Sequence, residues 1–126
     1  MNKPVILTVF GIPRTKKNSQ RITRIRGRIS IQQSAAYKKW ERTCIIKFAN
    51  NSKKHKPIDY PVNCKALFYR EKNIGDAVNF YQGIADLLQK HGVLLDDKFI
   101  RSWNDSKLLK DNTNPRVEIT LSEVSE

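Results

Sequence analysis

The first forty residues contain no aspartate and no glutamate; Glu41 is the first acidic side chain. Cysteine is nearly absent too. Cys44 and Cys64 are the only two, with no CxxC pair and no Cys/His cluster at zinc spacing, which argues against a structural zinc site. Two isolated thiols are expected to be reduced and buried in a cytoplasmic chain. Long apolar runs are missing as well. Val5 to Phe10 is too short for a secretory leader and is followed by charge, and nothing approaches the roughly 18 apolar residues of a membrane helix. No RNP-type aromatic motif and no GxxG loop occurs, which disfavours the common RNA-binding modules. No segment repeats.

What is present is positive charge. Lys and Arg number 24 against 12 Asp and Glu, a formal net charge of +12, and the pI is near 10.0. Such a balance favours nucleic acid as a partner. At 39% hydrophobic and 29% charged, the composition is that of a folded chain. The 126 residues are expected to form a single domain, 1–126, with a small core that a partner subunit would help to stabilise. Arg14, Lys16, Lys17, Arg21, Arg24, Arg26 and Arg28 form a stretch without one anion. Ordinary surfaces mix both signs, so this region is a candidate grip on the phosphate backbone. Asn18, Ser19 and Gln20 lie within it and can donate to phosphate oxygens. Lys53-Lys54-His55-Lys56 is a second, less specific basic patch.

The local patterns predict an α+β (mixed α/β) domain, a mixed sheet covered by two helices in the order β-β-β-α-β-α-β-β. Val5 to Phe10 is β-branched and apolar, ending at Gly11 and Pro13, which reads as a strand and a turn. Arg21 to Gln32 alternates and reads as a hairpin turning near Arg26-Gly27. From the candidate N-cap Ser34 a helix is expected to run to about Ala49, because Tyr37, Trp40, Cys44, Ile45 and Phe48 recur at three- and four-residue spacing. Val62 to Arg70 alternates as a strand with Val62, Cys64, Ala66 and Phe68 on one face. Asp76 to His91 reads as the second helix, burying Ala77, Phe80, Tyr81, Ile84, Leu87 and Leu88 and ending at Gly92. Phe99 to Trp103 and Arg116 to Leu121 read as closing strands. Trp40 is expected in the core and Trp103 partly exposed.

Against this basic background Asp76, Asp86, Asp96, Asp97 and Asp105 fall close together. Carboxylates weaken the attraction of a basic surface for a polyanion. Where they persist, they are candidates for holding a divalent cation against phosphate, since phosphodiester cleavage needs charge stabilisation and an activated water. Asp76 opens the second helix and Asp97 follows it. A helix of ~16 residues spans ~24 Å, so the chain after Gly92 must double back for the two carboxylates to meet. Asp86 stands ten residues beyond Asp76, which places it ~15 Å along the helix and away from a shared site. The bland readings are an N-cap for Asp76 and a solvated turn for Asp96-Asp97.

Gly75-Asp76-Ala77-Val78-Asn79, a helix carrying Asp86-Leu87-Leu88, and Gly92-Val93-Leu94-Leu95-Asp96-Asp97 together resemble the RusA-type Holliday junction resolvases. Those enzymes open a helix with Asp-x-Asp-Asn and follow it with Gly-x-x-x-Asp-Asp. Gly11 to Ser19 is similar to their basic loop after the first strand, and Asn114 to Ile119 to their last strand. The resemblance implies a Mg²⁺-dependent endonuclease (with Mn²⁺ as a possible substitute) that works as a homodimer, cutting branched DNA such as four-way junctions in recombination and repair. It implies that Asp76 and Asp97 are catalytic metal ligands, with Asp96 beside them and Asn79 and Gln82 in support. Two positions depart from the family pattern. Val78 stands where many members carry the second Asp, and Gln82 where some carry a Lys. The first departure leaves a non-catalytic junction- or duplex-binding protein as the alternative.

Overall fold

The computed structural model describes residues 2–11, 20–25, 28–33, 35–49, 56–70 and 78–125, with side chains described for 2–11, 38–49, 56–70 and 80–125. The elements are β1 (Val5–Phe10), β2 (Gln20–Ile25), β3 (Arg28–Gln33), α1 (Ala35–Thr43), β4 (Ile45–Phe48), β5 (Val62–Arg70), α2 (Val78–Lys90), a 3-10 turn (Asp97–Phe99), β6 (Ile100–Ser102), β7 (Lys107–Lys110) and β8 (Arg116–Glu123). This is the expected α+β class, with two short strands more than the sequence suggested.

One mixed sheet organises the chain in the order β4-β1-β8-β5-β6, with β7 also on β5. The pairs β1–β4, β1–β8 and β5–β8 are antiparallel. β6 and β7 both join β5 in parallel, on opposite sides of a break. The β2–β3 hairpin forms a separate two-stranded sheet, with Ile25 opposite Arg28. Its turn residues, Arg26 and Gly27, lie outside the described residues.

Period-two alternation sets the layers. Val5, Leu7 and Val9 of β1, Val62, Cys64, Ala66 and Phe68 of β5, and Val117, Ile119 and Leu121 of β8 are all buried on one face. Phe80, Ile84, Leu87 and Leu88 of α2 pack into the same cluster as its stripe predicted, and Trp40 of α1 joins them, whereas Ile45 of the first predicted stripe is exposed. The thiols are buried as expected for Cys64 and half-buried for Cys44. Gly11 ends β1 at φ +117°, and a Cβ there would sit 3.4 Å from the Trp40 ring. The contact with Trp40 would be an ordinary one, so it is the left-handed backbone at this strand end that favours a residue without a side chain.

The first helix is shorter than expected. It ends at Thr43, not at about Ala49, and Cys44 N–H closes it on the Trp40 carbonyl at 2.9 Å. The Thr43 hydroxyl donates back to Lys39 O, and two β-branched residues follow, Ile45-Ile46, a pair that favours a strand. They pair with Phe10 and Val9 instead of continuing the helix. The expected strand Phe99 to Trp103 begins as the 3-10 turn and becomes extended only from Ile100. Among the described residues no helix is long and apolar enough to cross a membrane.

Candidate active site

The site is built by the way the chain leaves α2. Gly92 takes a left-handed φ of +74°. Gly92 N–H donates to Gln89 O at 3.2 Å and Val93 N–H to Leu88 O at 2.9 Å, the paired bonds of a Schellman ending. The chain then runs beside Ile58, the residue region leading into β5. Ile58 N–H donates to Val93 O at 2.8 Å, and Leu95 N–H to Ile58 O at 3.0 Å. Ile58 and Leu94 are fully buried and Val93 nearly so, so this return segment is fixed by packing as well as by hydrogen bonds. The chain after Gly92 does turn back beside α2, where Asp97 meets Gln89; Asp76, the other half of the expected pair, lies outside the described residues.

Asp96 and Asp97 stand at the end of that return. Asp96 caps the 3-10 turn: its Oδ1 accepts from Lys98 N–H at 2.9 Å. This bond is the main reason its carboxyl lies below the ordinary range, and a hydrogen bond with Asp97 and the Lys98 charge act the same way. Asp97 is shifted the other way. Partial loss of hydration raises its proton affinity most, followed by the hydrogen bond with Asp96 and the charges of Asp96 and Asp86. Within the pair Asp96 holds its charge and Asp97 is the member that takes a proton. The Asp97 backbone N–H donates to Gln89 Oε1 at 3.2 Å, which ties the turn to the last turn of α2.

Asp86 thus stands electrostatically close to Asp97, which the distance from Asp76 did not suggest. The useful reference is the returning chain, which brings Asp97 beside Gln82, Ala85 and Asp86 of α2. Gln82 donates from Nε2 to Asp86 Oδ1 at 3.2 Å, a neutral amide one helical turn from the carboxylate. Asp97 and Gln82 also border a pocket of about 150 Å³ with Tyr81, Ala85, Ile100 and Trp103. Trp103 is half-buried, as expected, and stacks on Tyr81 with ring centroids 4.2 Å apart and planes 2° from parallel. Asp105 is exposed and occupies a left-handed turn position at φ 68°.

Other sequence-derived candidates are placed only in part. Asn79 lies in the first turn of α2, directly after Val78. Arg21, Arg24 and Arg28 lie on the β2–β3 hairpin by their backbone. Asp76, Arg14, Lys16, Lys17, Asn18 and Arg26 fall outside the described residues. Among the described residues no group of three His, Cys, Asp or Glu side chains is placed to hold a metal ion.

A strongly basic α+β domain in which a returning loop presses aspartates together is built like a nucleic-acid-processing enzyme. Comparison with family models makes the class specific. The model for the endodeoxyribonuclease RusA matches residues 11–122, from the end of β1 to within β8, and the chain belongs to that family. No curated protein matches the chain.

Proposed function

We propose that this protein is a metal-dependent endodeoxyribonuclease that cuts branched DNA, four-way junctions above all, as a symmetric homodimer. The observation that carries the reading is the match to the RusA endodeoxyribonuclease family over residues 11–122, and the neighbouring Asp96 and Asp97, with the Asp86 charge nearby, agree with it. Aspartates held together at the surface of a chain of charge +12 repel each other, and a divalent cation is the partner that relieves such repulsion. Asp76 and Asp97 are the ligands, with Asp96 in support. When bound, Mg²⁺ or Mn²⁺ supplies charge neutralisation at the phosphate and a more acidic water.

The chain's own groups do the rest. Gln89 orients Asp97 through its backbone N–H. Gln82 holds Asp86 by a hydrogen bond from its neutral amide and adds no cation where some relatives carry a lysine. Arg14, Lys16, Lys17, Arg21, Arg24, Arg26 and Arg28 supply the phosphate contacts, which give affinity that is independent of sequence and falls with salt.

Val78 favours a second reading, a protein that binds junctions without cutting them. One experiment decides between the two. A synthetic four-way junction is incubated with the parent, Asp76→Asn and Asp97→Asn, first with Mg²⁺ and then with Mn²⁺. Cutting by the parent and loss of cutting by both variants, with junction binding retained, is the expected result. Gel-shift binding without product under either metal would instead establish the binder. Equal cutting by parent and variants would remove Asp76 and Asp97 from the site.

A further inference from the structure

The pocket beside Asp97 has a wall that cation binding does not account for. Three aromatic rings run outward from the core in a stack. Phe68 of β5 is fully buried. Tyr81 of α2 lies 6.3 Å from it with planes 27° apart, and Trp103 lies 4.2 Å from Tyr81 with planes 2° apart. Trp103, the outermost ring, is half-exposed and borders the pocket. Phe80 packs on the inner end, 5.0 Å from Phe68.

The loop that carries Trp103 is held firmly to β5. Asn63 Oδ1 accepts from Ser102 Oγ at 2.6 Å and from Asn104 N–H at 2.8 Å. Asn63 Nδ2 donates to Asn104 O at 3.3 Å. The Ser106 hydroxyl accepts from Ala66 N–H at 2.9 Å and donates to Cys64 O at 3.2 Å. The Ser106 bonds occupy the stretch of β5 between its pairings with β6 and β7. The indole is therefore positioned before any ligand arrives, which lowers the entropy lost on binding.

The remaining walls select the ligand. Ala85 and Ile100 are apolar, while Gln82 and Asp97 offer hydrogen-bonding groups. A volume of about 150 Å³ is well below the roughly 300 Å³ at which pockets begin to hold drug-sized ligands, and suits a single flat ring system. Planar aromatic walls with a polar rim are the means by which proteins hold unstacked bases.

We infer that this pocket seats one unstacked nucleobase of the DNA against the Trp103–Tyr81 stack, beside the carboxylate of Asp97. The inference rests on the proposed action on branched DNA, where interrupted pairing lowers the cost of unstacking a base. A base seated there places its own backbone next to Asp97, so the pocket sets which phosphate is presented for cleavage.

The test is a binding cycle on four-way junctions with divalent cations chelated, so that no strand is cut. Single abasic nucleotides replace each residue around the branch point in turn, and the parent is compared with Trp103→Leu and Trp103→Phe. Leu keeps apolar bulk against Tyr81 without an aromatic face, and Phe restores one. Removing one stacked base or its platform is expected to weaken binding by roughly tenfold. At one position the abasic site and Trp103→Leu should each produce that loss, and together no more than either alone. Trp103→Phe should recover most of it.

Losses that simply add at every position, or no position sensitive to base removal, would overturn the inference. Thermal melting of each variant identifies a loss due to unfolding; in that case the abasic scan on the parent and on Trp103→Phe decides. A parent that binds no junction at all would overturn both this inference and the proposed function. Junction binding and cutting with an additive cycle would overturn the base pocket alone.

Discussion

Gln89 reaches from the last turn of α2 to accept the Asp97 backbone N–H at 3.2 Å. This bond joins the helix to the turn that carries the proposed metal ligand, and Gln89 is otherwise exposed. Gln89→Ala should therefore loosen Asp97 without disturbing the core. A single hydrogen bond is worth about 0.5–1.5 kcal/mol, so single-turnover cutting of a four-way junction should fall roughly two- to tenfold. Melting temperature and junction affinity should change little. A fall in stability as large as the fall in rate would assign Gln89 a purely structural role.

Asp97 and Asp96 should affect stability in opposite directions. The Asp97 carboxyl titrates above its ordinary value, so the folded chain binds that proton more tightly than the unfolded chain does. Its contribution is present in acid and is lost as pH rises through the raised titration. Without divalent cations, Asp97→Asn should melt slightly higher than the parent at neutral pH, and the gap should close toward pH ~3, below the ordinary aspartate value. Asp96 titrates below its ordinary value because it caps the 3-10 turn. Asp96→Ala should melt lower at neutral pH. Added Mn²⁺ should raise the parent's melting temperature more than that of Asp97→Asn.

Asp111 organises the entry to β8. Its Oδ1 accepts from the Thr113 N–H and hydroxyl, each at 2.9 Å, and its Oδ2 accepts from Arg116 at 2.8 Å. The Thr113 N–H and the Arg116 guanidinium hold its carboxyl well below the usual range. A depressed carboxyl contributes stability above the unfolded value that is lost as pH falls through the folded one. Asp111→Ala should therefore lower the melting temperature at pH 6 to 8, and the difference from the parent should shrink in strong acid. Junction cutting at 25 °C should be retained, since Asp111 lies outside the proposed site.

Gly92→Ala separates backbone conformation from packing. A Cβ at Gly92 would meet nothing within 4 Å, but φ is +74°. The cost is then conformational, about 1 kcal/mol or somewhat more, measurable by denaturant unfolding. Because the return segment begins there, cutting should fall further than stability alone accounts for.

Much of the architecture was legible because the period of the pattern matched the environment. β5 alternates because one of its faces is core and the other is not, and α2 shows an apolar stripe because it covers that core. The first helix was overextended because Cys44, Ile45 and Phe48 continue the helical spacing of Tyr37 and Trp40. The competing signal was local, the β-branched pair Ile45-Ile46, and pairing with β1 decided the outcome. β7 is only four residues, Lys-Leu-Leu-Lys, with no alternation to mark it. Within the site, the return at Gly92 and the adjacency of Asp96 and Asp97 could be read from sequence. The proximity of Asp86 could not, since it depends on where the returning chain crosses α2. The Tyr81–Trp103 stack depends in the same way on β5 holding a distant loop.

The divided edge of β5 gives the sheet a direction of opening. On one side β8 pairs with it continuously from Val62 to Tyr69. On the other, two short parallel strands share the edge, joined across the gap by the hydroxyl of Ser106. Amide hydrogens contributed by β6 and β7 should exchange with solvent long before those between β5 and β8. The ring of Trp103 stands beside that interrupted edge, and the side chains of Asn63 and Ser106 fix it there where the backbone ladder does not.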